Sequence, residues 1–396
     1  MYSNPLIMIV YILTEDEFAA YDVFESINSK KLTLAISDLT KNILLKKCKY
    51  EDRKNYSGAV DKITKLVKMF DDSPKQTSEF LKTYWAAKYE LPRRKFYDLY
   101  KKSSYFKKQN AIKLIDDLLV YGTEYKRIIN PSKCPWSNKE SDKSILQTLN
   151  EISYLGLKTT YPLLLQLLVS EKKKKDQLSR IFSKVLYLST IKIVILGERP
   201  GILETKYADF AKKIFENKLS LDELYKNLKV EVDKEFKKAK IKLREPLFNI
   251  ENKQTKYLLY KIYRKNYKQS LNISQIKLEE IKKDSIEHIL PKNPEKWKSS
   301  IFDDIKKNKL KSKGVTDIQQ YINKYCYTLG NLILLSSVNN SKIGNGVFSE
   351  KKKKYIQYEK NNPLFKNIIN LDKWDSIEIE KRTKLLINEL DSIFNS

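Results

Sequence analysis

The sequence predicts a mainly α-helical protein, a helical scaffold followed by a smaller C-terminal α+β domain. Three observations carry this expectation. Only 9 Gly and 11 Pro are spread over 396 residues, too few for a loop-rich all-β chain. Long apolar-rich stretches occupy the middle of the chain, with 41% hydrophobic residues and 26 Tyr and 15 Phe to fill a core. Near Glu245 the texture changes to short apolar runs separated by polar turns. The expected organisation is a first segment over 1–50, a helical middle region over 51–245 and a C-terminal domain over 246–396.

Taken in order, Leu6–Leu13 is an eight-residue apolar, β-branched run that reads as a buried strand. It has no basic stretch before it and no small-residue cleavage site after it, so it is neither signal peptide nor membrane span. Thr14, with Glu17 three residues on, has the pattern of a capping box. Phe18, Tyr21, Phe24 and Ile27 follow at helical spacing, and Ser37 caps a second helix from Asp38. From Tyr50 the chain reads as helical, with a break at Pro131 and Pro135 and long apolar stretches at Ile145–Val169, Ile181–Leu196 and Leu221–Phe236. Trp85 reads as core. Gly197–Gly201 (GERPG) is a loop that lacks the spacing and the Lys-Ser/Thr end of a phosphate-binding loop.

The net charge is +28 and the pI about 9.6. A polyanionic partner such as nucleic acid accounts for this. So does a general enrichment in lysine, since the chain holds nine Arg and 68 Lys. The runs Lys172–Lys175 and Lys351–Lys354 read as solvated helix faces or as phosphate clamps. Cys48, Cys134 and Cys326 are far apart, without a CxxC pair, and there is one histidine, so no structural zinc set exists. Reduced thiols point to the cytoplasm.

That histidine, His288, lies in DSIEHILPKN, Asp284–Asn293. Ser285–Ile289 is expected to form a strand ended by Pro291, which has no N–H for a ladder. A second strand is expected over Leu329–Ser337, followed by a helix starting near Ser349. Strand, strand and helix, with His on the first strand and Asn on the second, is the layout of HNH (ββα-metal, His-Me finger) nucleases. The chemistry explains the residue types. Phosphodiester hydrolysis needs a base to activate water, and an imidazole of pKa about 6.5 serves. It also needs a divalent cation on the phosphoryl group, held by hard oxygen ligands. An Asn carbonyl on the paired strand can fix the imidazole tautomer.

The same residues resemble the C-terminal nuclease domain of the GmrSD-type, modification-dependent (Type IV) restriction endonucleases, with a pattern of roughly EHxxPxx…LGNLxLLxxxxNxxxSNxxFxxK. The resemblance implies Glu287 as a metal ligand, His288 as general base, Asn331 as the residue that orients His288, and Asn340 near the metal. Asn339 competes with Asn340, because Asn339 to Lys342 also reads as NxxK. Asn345 aligns with the later Asn and also suits a helix cap. Gly344 replaces the usual Ser, and Phe348 and Lys351 match. Lys292 and Lys342 are candidate phosphate contacts or plain surface. The implied cofactor is Mg²⁺ or Mn²⁺ and the implied substrate is foreign or modified DNA, with RNA left open. Cys326 is expected to be buried and inert.

Two further stretches resemble that family. Phe24, Asn28, Leu32, Leu34, Asp38, Leu39, Lys41 and Asn42 match the end of its N-terminal domain, with Lys30 and Lys31 in place of Arg-Gly. Phe80–Ser104, including Trp85, resembles its middle region. The family's ParB-like DGQQR motif, tied to nucleotide hydrolysis, does not occur in this sequence. The resemblance therefore implies a chain that starts near the end of the N-terminal domain. One function is a metal-dependent endonuclease. The alternative is a catalytically silent, DNA-binding subunit that docks on a separately encoded N-terminal partner.

Overall fold

The structure is a computed structural model of the chain. It describes residues 41, 44–48, 53–92, 110–247, 252–270, 283–359 and 362–396. The expected Leu6–Leu13 strand, the Thr14 capping box, the helix that follows it and the Ser37 cap lie outside the described residues, as do the family-like positions before Lys41.

The mainly helical expectation is borne out. The helices and strands used below are α1 (Tyr56–Lys68), α2 (Pro74–Lys88), α3 (Ala111–Ile129), α4 (Glu140–Leu155), α5 (Tyr161–Ser170), α6 (Lys175–Ser189), α7 (Pro200–Phe215), α8 (Leu221–Lys242), α9 (Asn252–Ser270), β1 (Asp284–His288), α10 (Lys298–Lys307), α11 (Ile318–Tyr325), β2 (Leu332–Ser336), α12 (Ser337–Ile343), α13 (Phe348–Glu359) and α14 (Ser376–Asn395). No described helix is long and apolar enough to cross a membrane.

Local chemistry sets several boundaries. Ser73 caps α2, with Pro74 at the first helical position. Ser220 and Glu223 form a reciprocal capping box at the start of α8. The apolar stretch Ile145–Val169 is two helices, because Gly156 turns left-handed at φ 72° and ends α4. The stretch Ile181–Leu196 starts inside α6 and finishes as a π-helical turn, Thr190–Ile195. The GERPG loop is shorter than expected, since α7 begins at Pro200.

The described chain forms two compact units, each drawn from several stretches of sequence. The first takes residues up to Pro135 together with Tyr161–Lys173 and Thr205–Lys218. Its core is aromatic: Phe70 stacks on Phe80, and Tyr125 meets both. Trp85 is buried there, as its apolar neighbours predict. Lys88 is also buried and is paired with Asp117 at 2.5 Å.

The second unit takes Trp136–Thr160, Lys174–Glu204 and Leu219–Ser396. Here α6 packs on α4 and α8, and α14 packs on α8 and α9. Glu151, buried on α4, accepts from Tyr257 Oη (2.7 Å), Lys261 Nζ (3.0 Å) and Gln147 Nε2 (2.6 Å). Burial alone would raise this carboxyl, but Lys261, Tyr257 and Arg264 together hold it below its ordinary value. β1 and β2 pair antiparallel, Asp284 opposite Ser336 and His288 opposite Leu332. α9 and α12 both pack on this two-stranded sheet. Leu332–Leu335 are all buried, as expected of a strand covered on both faces.

One boundary of the second strand differs from expectation. Leu329–Asn331 is a 3-10 turn and the strand starts at Leu332, so Asn331 precedes the strand. The turn is pressed against α14. A Cβ added at Gly330 would lie 2.7 Å from Thr383 N, and Gly330 N–H donates to Thr383 Oγ1 at 3.0 Å. A second difference is α12, a short helix where the sequence reads as a loop; Ser336 caps it by accepting from Asn339 N.

Candidate functional site

β1 carries the two residues of interest side by side. Alternation along a strand puts Ser285 and Glu287 on one face and Ile286 and His288 on the other. The strand stops where the sequence requires. Ile289 N–H donates to the Asn331 carbonyl at 3.0 Å, and Pro291 follows without a donor.

Asn331 is fully buried and uses both ends of its amide. Its Oδ1 accepts from Leu290 N (2.8 Å) and Trp374 Nε1 (2.9 Å), and its Nδ2 donates to Leu290 O (3.0 Å) and Cys326 O (2.8 Å). This corrects the expected contact, in which the Asn331 carbonyl meets the His288 imidazole. Because Asn331 lies on the turn before β2, its side chain reaches the backbone two residues beyond His288 instead. It holds the main chain that carries the histidine. Arg382, buried on α14, braces the same turn from outside by donating from Nη1 to the Gly330 and Leu332 carbonyls.

The His288 imidazole is half-buried and meets the Tyr327 ring edge-on at 5.4 Å. Neither ring nitrogen has a hydrogen-bond partner among the described residues. Burial, with the charges of Lys292 and Lys351, pulls its pKa down to about 4, so the ring is neutral at neutral pH. Exposed Lys292 lies over the Tyr327 ring at 5.3 Å, on the histidine's side of the site.

Glu287 faces the opposite way and is 6% exposed. Its Oε1 accepts from Lys351 Nζ at 2.7 Å and from Tyr355 Oη at 2.9 Å, both on α13. Lys351 is 1% exposed and donates a second bond, 2.7 Å long, to the His288 carbonyl. This overturns the solvated-face reading for the first lysine of the 351–354 run. Phe348, Lys351 and Tyr355 share one stripe of α13 at i, i+3 and i+7, and all three are buried. That spacing, with Lys351 in the family-like pattern, was the signal available in the sequence for a role at the site.

Asn340 lies on the Ser285–Glu287 side of β1. Its Nδ2 donates to Ser285 Oγ at 2.8 Å and, more loosely, to the Ile286 carbonyl at 3.4 Å. Asn339 donates instead to the Tyr358 carbonyl, so of the two it is Asn340 that faces β1. Lys342 is exposed over the Tyr358 ring, and Asn345 is exposed between α12 and α13. The described contacts tie neither of them to His288 or Glu287. Asp284 is the first residue of β1. Cys326 is buried, and burial pushes its thiol up to about 12, as expected of an inert cysteine.

Whether these residues suit a hard cation depends on their oxygens. Glu287 Oε2 and Asn340 Oδ1 carry no hydrogen bond among the described residues, and both are the oxygen donors that Mg²⁺ or Mn²⁺ prefers. No three His, Cys, Asp or Glu side chains converge among the described residues. A cation here would therefore rest on one carboxylate, one amide oxygen, water and substrate phosphate, a set that fits Mg²⁺. The Lys351 ammonium on Oε1 is the charge it would share that carboxylate with.

A search for related families matches residues 233–389 to the C-terminal domain of the GmrSD restriction endonucleases. The match runs from within α8 to within α14 and contains β1, β2 and every residue of the candidate site. A comparison with curated proteins gave no match. Residues 233–389 are thus similar to the C-terminal domain of a GmrSD-type restriction endonuclease.

Proposed function

We propose that this domain is an HNH-type nuclease that hydrolyses phosphodiester bonds in DNA, and that the protein acts in restriction of foreign or modified DNA. The carrying observation is His288: a neutral imidazole at a strand end, with both nitrogens free of described protein partners. Such a ring can accept a proton from water as it attacks phosphorus. The backbone that bears it is held by Asn331 and, through its own carbonyl, by Lys351, which limits the imidazole's positional freedom. Lys292, beside it, would meet a phosphate oxygen.

Glu287 and Asn340 would hold Mg²⁺ or Mn²⁺, which supplies neutralisation of charge on the phosphoryl and leaving oxygens. Lys351 and Tyr355 fix the Glu287 carboxylate through Oε1, which leaves Oε2 without a bond among the described residues. The family match supports nuclease chemistry and DNA as substrate.

The test is purified full-length chain with plasmid DNA, and a matched RNA, in Mg²⁺ or Mn²⁺. Cleavage of DNA is expected, with His288→Ala reducing it by roughly 100- to 10,000-fold, the range for loss of a general base. Wild-type protein that cleaves nothing with either cation, alone or with a co-expressed N-terminal partner, overturns the proposal. RNA cut in preference to DNA overturns the substrate assignment.

A further inference from the structure

Two hollows adjoin along α9 and α14 in the second unit. One, of about 430 Å³, is lined by Lys381, Lys384 and Glu389; the other, of about 350 Å³, by Lys261, Arg264 and Glu151. Lys265 and Ser392 line both. We propose that this double hollow is a track for the phosphate backbone of a nucleic acid. The inference rests on the nucleic-acid substrate proposed above, but not on cleavage.

The charge balance favours a polyanion. Five cationic side chains line the track against the side-chain carboxylates of Glu151 and Glu389, and of the five Lys381 is also paired with Glu378 at 2.7 Å. Glu151 is almost wholly buried and is satisfied by Lys261, Tyr257 and Gln147, so little of its charge faces an incoming ligand. Glu389 accepts from Asn266. Lys265 and Lys384 have no carboxylate within ion-pair distance among the described residues. A surface with an excess of cations raises the local concentration of an anion.

The arrangement favours a strand of phosphates over a single anion. Lys381, Lys384, Asn388 and Ser392 follow at spacings of three, four and four on α14. They form one exposed stripe opposite the buried stripe of Arg382, Leu386 and Leu390. Lys265 joins that stripe to Arg264 and Lys261 on α9. Cations thus run on from one hollow into the next, as successive phosphates require. A membrane surface would instead call for large apolar side chains beside the cations, and of the lining residues only Leu385, Leu186 and Ile393 are aliphatic.

The track also shares its scaffold with the candidate site. α14 contributes Lys381 and Lys384 outward, and Arg382 and Thr383 inward to the turn that bears Asn331. One helix therefore relates a bound backbone to the strand end at His288.

The experiment measures binding of the full chain to a labelled DNA duplex in EDTA, across a salt series, for wild type, Lys381→Glu/Lys384→Glu and the control Lys234→Glu/Lys237→Glu. The control pair is exposed on α8, three residues apart, and lines neither hollow. The track variant is expected to bind at least about tenfold more weakly at 0.1 M salt, with the slope of log K against log salt reduced by about 1.8, or 0.9 per phosphate contact. The control should stay within about twofold of wild type. Equal losses in the track and control variants would mean diffuse charge and overturn the track. So would unchanged binding in the track variant, or its loss of binding to vesicles of anionic lipid with DNA binding intact. Because no cation is present, a protein that binds through the track yet never cleaves would sink the nuclease proposal alone.

Discussion

Lys351→Met tests the buried pair that joins α13 to β1. In the wild type, Lys351 and Glu287 are 1% and 6% exposed and 2.7 Å apart, and the same ammonium satisfies the His288 carbonyl. Met matches the volume of the lysine stem but supplies no charge and no donor. Glu287 then keeps only the Tyr355 hydroxyl, and the His288 carbonyl loses its side-chain donor. Breaking a buried pair in this way costs about 3–5 kcal/mol, or a fall in Tm of roughly 6–20 °C for a unit of 150–250 residues. Urea unfolding at pH 7 measures the cost. Lys351→Met/Glu287→Gln should recover at least about 2 kcal/mol of the loss, a coupling expected of residues in direct contact. A single-variant cost below about 1 kcal/mol, or additivity in the double variant, would refute an ionised pair at this position.

Three further outcomes follow from the same geometry. Asn331→Ala removes the amide bonds that hold Leu290 and the Trp374 indole, and with several buried polar groups left unpaired it should cost at least about 3 kcal/mol in urea unfolding. Asn331→Asp tests the amide itself, since a carboxylate cannot donate to the Leu290 and Cys326 carbonyls, and it should be no more stable than the alanine variant. Gly330→Ala forces a Cβ against the α14 backbone and should cost about 1–3 kcal/mol by overpacking; a neutral effect would mean that the turn is not pressed on that helix. Glu151 has a folded pKa below its ordinary 4.5, so its stabilising contribution is present above that value and is lost as pH falls through the folded pKa. Tm measured between pH 7 and pH 3 should fall less steeply below about pH 4.5 in Glu151→Gln than in wild type, and equal acid limbs would exclude this carboxylate as a source of the loss.

Much of this protein is local in its logic, and that part was legible. The scarcity of Gly and Pro and the long apolar stretches gave a helical chain. The run Ser285–His288 before Pro291 gave a strand, because alternation and a missing N–H are properties of a few neighbouring residues. The neighbourhood of His288 was found from one histidine and the Asn-bearing stretch about 40 residues later, and the family match falls on the same segment. Other features depend on distant partners. Asn331 sits in a turn before the strand because Gly330 closes on Thr383, more than fifty residues away. A four-lysine run reads as surface in sequence, yet Lys351 is buried because β1 presents a carboxylate and a carbonyl to its stripe of α13. Asn340 and Asn339 are equivalent as letters, and only the packing of α12 on β1 turns one towards Ser285 and the other towards Tyr358. Sequence alone determined the helical class, the strand and the residue types able to do phosphodiester chemistry, since these follow from spacing and chemical identity. Tertiary structure alone decided which polar atoms are already engaged and which remain open, because a hydrogen bond is allotted by proximity between segments that the sequence places far apart.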